Sequence, residues 1–76
     1  MPHYHFHVVD KDVWLDLKAE TLRDDAATLE RAEQLAVTLL QDRVYASDPD
    51  AWEIRVTDEK GAEVLSLPLS EVAGKA

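Results

Sequence analysis

His3, His5 and His7 are the side chains whose type and spacing point most directly to chemistry. In an extended segment, residues at i, i+2 and i+4 project from one side at steps of roughly 6.6 Å. Two such imidazoles can share a zinc or nickel ion, and His5 with His7 is the candidate metal pair. The third ring lies too far along a straight strand to close the same site. A complete centre therefore needs a further donor, such as Asp16 or a residue of a second chain. The same rings also describe a solvated strand face, or a contact surface sensitive to pH near ~6.5, where imidazole normally changes charge. We expect neither a resident metal nor a cofactor.

Other candidate constellations read as structure. Asp10/Asp12 and Asp48/Asp50 resemble fragments of a calcium loop, but neither is followed by the glycine and distal glutamate that an EF-hand requires. Aspartate at such places forms turns through local hydrogen bonds. Ser47, Ser66 and Ser70 lack a nucleophile-elbow context, and Gly61 and Gly74 alone build no phosphate loop. A chain this short also has little room for a pocket of ~300 Å³ or more. The expectation is that the protein is not an enzyme.

Charge narrows the partners. Sixteen acidic against eight basic side chains give a formal net charge of -8, which repels phosphate backbones and argues against direct nucleic-acid binding. The excess is uneven: residues 24–51 hold seven acids and two bases. Asp25, Glu30, Glu33, Asp42, Asp48 and Asp50 can therefore steer a basic protein partner, or simply keep a helix surface solvated.

With 76 residues the chain is sized for one domain, 1–76, and folding alone hides only ~60% of its extended surface. It has no cysteine, so disulfides and thiolate chemistry are excluded. Apolar residues at 46% and charged residues at 32% suit a globular domain. The longest apolar run breaks at Thr38, so no membrane span is expected, and no basic-then-apolar leader is seen at the start.

The elements follow from periodicity. Tyr4, Phe6 and Val8 alternate with His3, His5, His7 and Val9. After the polar turn Asp10–Asp12, Val13, Leu15 and Leu17 alternate with Trp14 and Asp16, predicting a hairpin over 3–17. Asp24 and Asp25 supply a helix cap, and Ala26, Leu29, Ala32, Leu35, Ala36, Leu39, Leu40 and Val44 recur at helical spacing, predicting one helix over 25–46. Trp52, Ile54 and Val56, a turn at 58–61 closed by Gly61, and Leu65, Leu67 and Leu69 predict a second hairpin over 52–69. Pro68 suits an edge, and residues 73–76 read as a frayed tail. The expected fold class is α+β: an antiparallel four-stranded sheet in the order β-β-α-β-β along the chain, with one long helix packed on one face. The helix stripe should cover Phe6, Leu15, Ile54 and Leu67. The opposite face should carry His3, His5, His7, Trp14, Asp16, Arg55 and Val64, of which His3, His5, His7, Trp14, Arg55 and Val64 form the candidate interaction face.

The opening Met1-Pro2-His3-Tyr4-His5-Phe6-His7 and the later Trp52-Glu53-Ile54-Arg55-Val56-Thr57-Asp58-Glu59-Lys60-Gly61, through Leu67-Pro68, resemble a family of short, uncharacterised alphaproteobacterial proteins known only as a domain of unknown function. The likeness spans nearly the whole chain. It departs at Ala19, where the family often has glycine, at Leu69, where it often has phenylalanine, and at His3 and His5, which the family fills with other residues. The resemblance implies a small cytoplasmic bacterial protein and implies no activity. A more distant likeness, at the level of fold, is to HicB-type antitoxins, whose strand–strand–helix unit blocks a toxin. The function expected from all of this is a non-enzymatic interaction module that forms a homodimer or binds a partner through the open sheet face. The alternative is an antitoxin-like inhibitor that neutralises a basic protein.

Overall fold

Alternation in the sequence becomes strands at both ends of the chain, separated by helix. The computed structural model describes residues 2–74. Its elements are β1 (His3–Val9), β2 (Trp14–Thr21), α1 (Asp25–Leu39), α2 (Arg43–Ala46), β3 (Glu53–Asp58), β4 (Glu63–Pro68) and α3 (Leu69–Ala73). The strands form one antiparallel sheet in the order β2-β1-β3-β4, so the expected α+β class and β-β-α-β-β plan are those observed.

Pairing of β1 with β3 settles how the two hairpins join, which alternation alone left open. It places the two most deeply buried strands in the centre. Tyr4, Phe6 and Val8 of β1 and Ile54 and Val56 of β3 are buried there, each side chain worth about 1.5–3 kcal/mol when fully removed from water. Against them α1 presents Thr28, Ala32 and Ala36, all buried. Small side chains on that stripe let the helix backbone approach the sheet, while Leu35, Leu39 and Leu40 fill the flanks. The helix lies toward β3, β4 and α3.

Local chemistry explains the boundaries. Asp24 caps α1, its carboxylate accepting from the Ala27 N–H at 3.1 Å. Asp10 Oδ1 accepts from the N–H groups of Asp12 and Val13, both at 2.9 Å, which makes Asp10 a turn former. At the second hairpin Asp58 Oδ1 accepts from Lys60 and Ala62, and Gly61 sits at φ +84°. Only glycine takes that angle without steric cost.

Several boundaries depart from expectation. The helix expected over 25–46 ends at Leu39, because Asp42 adopts an extended conformation and caps a separate turn, accepting from the Val44 N–H at 2.9 Å. An aspartate competes well for that role. Val44 is consequently exposed rather than in the core. Leu29 and Leu15 are also exposed: Leu15 lies on the outer strand β2, away from the side of the sheet toward which α1 leans. The first hairpin extends past 17, with β2 reaching Thr21 across a bulge that leaves Leu17 unopposed between the pairs Phe6↔Lys18 and His7↔Asp16. Leu69 opens α3 instead of ending β4, and its N–H bonds to the Trp52 carbonyl at 3.0 Å. Ala73 belongs to α3 with Gly74 as its cap, and the remainder of the tail expected to fray lies outside the described residues.

Two polar links tie α1 to the sheet. Arg31 Nε donates to Glu20 Oε2 at 2.6 Å, and this carboxylate raises the Arg31 pKa above its ordinary value. The buried Tyr4 hydroxyl donates to Asp25 Oδ1. That hydrogen bond, then burial, then the negative charges of Asp25, Asp24 and Asp58 push the phenol up to about 12 from 10.0. Because the folded-state value is the higher one, this contribution is complete below pH 10.0 and disappears as pH climbs towards 12. In an alkaline titration followed by tyrosinate absorbance, the late-ionising tyrosine should therefore vanish in Tyr4→Phe. The variant's stability should also lose its extra fall over that window. Separately, Gly61→Ala should lower stability by about 1 kcal/mol in denaturant titration, since the alanine would be forced into the left-handed region.

Candidate functional site

Helices cover one side of the sheet, and the opposite side is built by register. His7 pairs with Arg55 and with Asp16, His5 with Thr57, and Val9 with Trp14 and Glu53. Directly opposed residues share a face. His3, His5, His7, Trp14, Asp16 and Arg55 thus lie on one face of the sheet. Val64 does not. It is the unopposed residue of a second bulge, between Val56↔Leu65 and Thr57↔Glu63, and it packs against the core. An extra residue reverses the inside–outside count, which strict alternation cannot register. Val9, expected on the open side, is almost fully buried.

His7 is the hub. Its ring is mostly covered, with 12% of the side chain exposed, whereas its neighbour Asp16 is 82% exposed. His7 Nδ1 lies 2.6 Å from Asp16 Oδ1, and Nε2 lies 3.1 Å from Thr57 Oγ1. The Trp14 indole N–H donates toward the same Nδ1 at 3.1 Å, with ring centroids 4.9 Å apart. The Arg55 guanidinium sits 5.6 Å from the Trp14 ring centroid, within cation–π range. Arg55 Nε donates to Glu53 Oε1 at 2.7 Å and lies 3.6 Å from Glu63, while Ser66 donates to the other Glu53 oxygen at 2.9 Å. A continuous polar net therefore runs across all four strands, from Asp16 to Ser66. Trp14, 51% exposed, is the large apolar side chain set into it.

Thr57, Glu53 and Ser66 were absent from the interaction residues named by sequence. Their alternation with Ile54 and Val56 placed Glu53 and Thr57 on the right face, but their partners depend on strand order. His3 stands apart from the hub, bonded to Thr21 Oγ1 at 2.9 Å. His5 and His7 stack at 6.4 Å between centroids, so they lie side by side rather than converging on one point. Among the described residues no group of three or more histidine and carboxylate side chains can hold a metal ion. Shallow depressions of about 330 and 470 Å³, open to solvent, flank the β1–β2 turn and share Val9, Asp10, Lys11 and Arg55. No described helix is long and apolar enough to cross a membrane.

Fold and face together define a small one-layer-helix α+β domain with an uncovered polar–aromatic sheet surface. Residues 3–70 match the family described as Domain of unknown function (DUF6894), and the chain belongs to that family. No curated protein and no solved structure matches the chain.

The parallel placement of His5 and His7 makes a concrete expectation about metal. Titrating zinc into the protein in a calorimeter should give no one-to-one isotherm, and His5→Ala should leave the trace unchanged.

Proposed function

We propose that this small acidic protein is a non-enzymatic, cytoplasmic interaction module that pairs with a second copy of itself through the uncovered sheet face. One observation carries the reading. Trp14 stands half exposed on the side of the sheet that α1 leaves bare, bracketed by Arg55 and His7. Tryptophan and arginine are the residues on which binding energy concentrates. The thin core of a chain this short adds a reason to associate. The face also carries both signs of charge, with Arg55 among Glu53, Glu63 and Asp16, so a two-fold arrangement can set opposite charges against each other.

A second reading, an inhibitor that neutralises a basic protein in the manner of an antitoxin, draws on the exposed acids Glu30, Asp48 and Asp50. Asp25 and Asp42 are already engaged with Tyr4 and the α2 cap, which thins that surface. Sedimentation at micromolar concentration distinguishes the two. We expect a dimer that Trp14→Lys weakens by about 2 kcal/mol, ~30-fold in Kd. A strict monomer that is captured by a basic partner, unaffected by Trp14→Lys, would favour the second reading.

A further inference from the structure

Two hydrogen bonds compete for one atom on the open face. His7 Nδ1 lies within reach of both Asp16 Oδ1, at 2.6 Å, and the Trp14 indole nitrogen, at 3.1 Å. A ring nitrogen offers a single in-plane direction, filled by a proton or by a lone pair. Protonated, Nδ1 donates to Asp16, and the Trp14 N–H then faces another donor. Bare, Nδ1 accepts from Trp14, and the Asp16 carboxylate faces a lone pair. The two bonds exclude each other.

The rest of the environment leaves this choice free. Thr57 Oγ1, beside Nε2, is a hydroxyl that accepts from Nε2–H or donates to the bare nitrogen, so it serves either state. Asp16 is largely exposed, so turning to water when Nδ1 is bare costs it little. Other charged and titratable groups face the ring from each strand. Asp16 on β2 favours a positive ring. Arg55, opposite on β3, opposes it, and Glu53 and Glu63 partly offset Arg55. His5 stacks beside it on β1, and His3 lies further along that strand. When both ring nitrogens carry protons, Asp16 and Thr57 are both satisfied and only Trp14 loses its partner.

We propose that His7 is a proton-operated latch on Trp14, a proposal whose consequence for binding rests on the open face being the association surface. With Nδ1 bare, the indole is pinned against the sheet. That is the arrangement in the neutral ring that carries its proton on Nε2 and donates it to Thr57; when Nδ1 gains a proton as well, the indole is released to reach outward. Charging the histidines of this face also reduces the self-repulsion of a chain of net charge -8. Both effects strengthen pairing as pH falls.

The latch is read on the monomer, at concentrations below association, by NMR of the two indole N–H signals. Trp52, packed edge-on against Tyr45, is the internal reference. The Trp14 signal should move in step with the His7 ring resonances as pH drops while that of Trp52 stays put. His7→Phe should flatten it, and Asp16→Ala should hold it at the pinned position at neutral pH. A Trp14 signal that stays fixed while the His7 ring titrates, or that moves alike in His7→Phe, would overturn the latch. Sedimentation over the same range should show association at least threefold tighter in acid. A working latch with unchanged association overturns its coupling to pairing, whereas a monomer at every pH overturns the proposed dimer and leaves the latch standing.

Discussion

The antiparallel pairing of β1 with β3 is the interaction on which the remainder depends. Each hairpin is local and small, and a lone two-stranded hairpin is only marginally stable in water. Joining them across the helix brings Phe6 opposite Val56 and Val8 opposite Ile54, and Phe6, Ile54 and Val56 share one buried cluster with Ala32 and Ala36 of α1. The pairing also sets Arg55 across from His7 and brings Thr57 to its ring, so the covered and uncovered sides are products of one register. A shift of a single residue would exchange them.

Much of this architecture was legible in the residues. The alternation of Tyr4, Phe6 and Val8, the capping Asp24 and the Asp58–Gly61 turn are each local signals, written within a few positions of the structure they cause. What stayed hidden is either non-local or a local tie. Leu17 and Val64 occupy bulges, and strict alternation assigns each of them to a face as if no extra residue were present. Asp42 has the same composition cue as any exposed helical aspartate, and only its extended backbone turns it into a cap. On the candidate face, His3, His5, His7, Trp14 and Arg55 could be assigned to one side by parity. The partners Thr57, Glu53 and Ser66 could not be matched to them before strand order was known.

Polar groups on that face are organised rather than merely tolerated. Arg55 is shared by two carboxylates and an indole, Glu53 binds both Arg55 and Ser66, and each nitrogen of His7 has a neighbour. Beneath them, no buried side-chain nitrogen or oxygen among the described residues lacks a hydrogen-bond partner. Exposed pairs of this kind add little stability individually. Their effect is to hold orientation, so that an aromatic side chain at the surface keeps a defined pose.

Both bulges fall on the outermost strands, β2 and β4, and the inner pair has none of its own. Extra twist at a margin spoils the flat ribbon that another chain would need in order to continue the sheet sideways, and Lys18 and Pro68 at those margins act in the same sense. Lateral polymerisation into fibres is thereby discouraged at either border. Contact between copies is left to the broad surface, where a two-fold axis closes the assembly after one encounter.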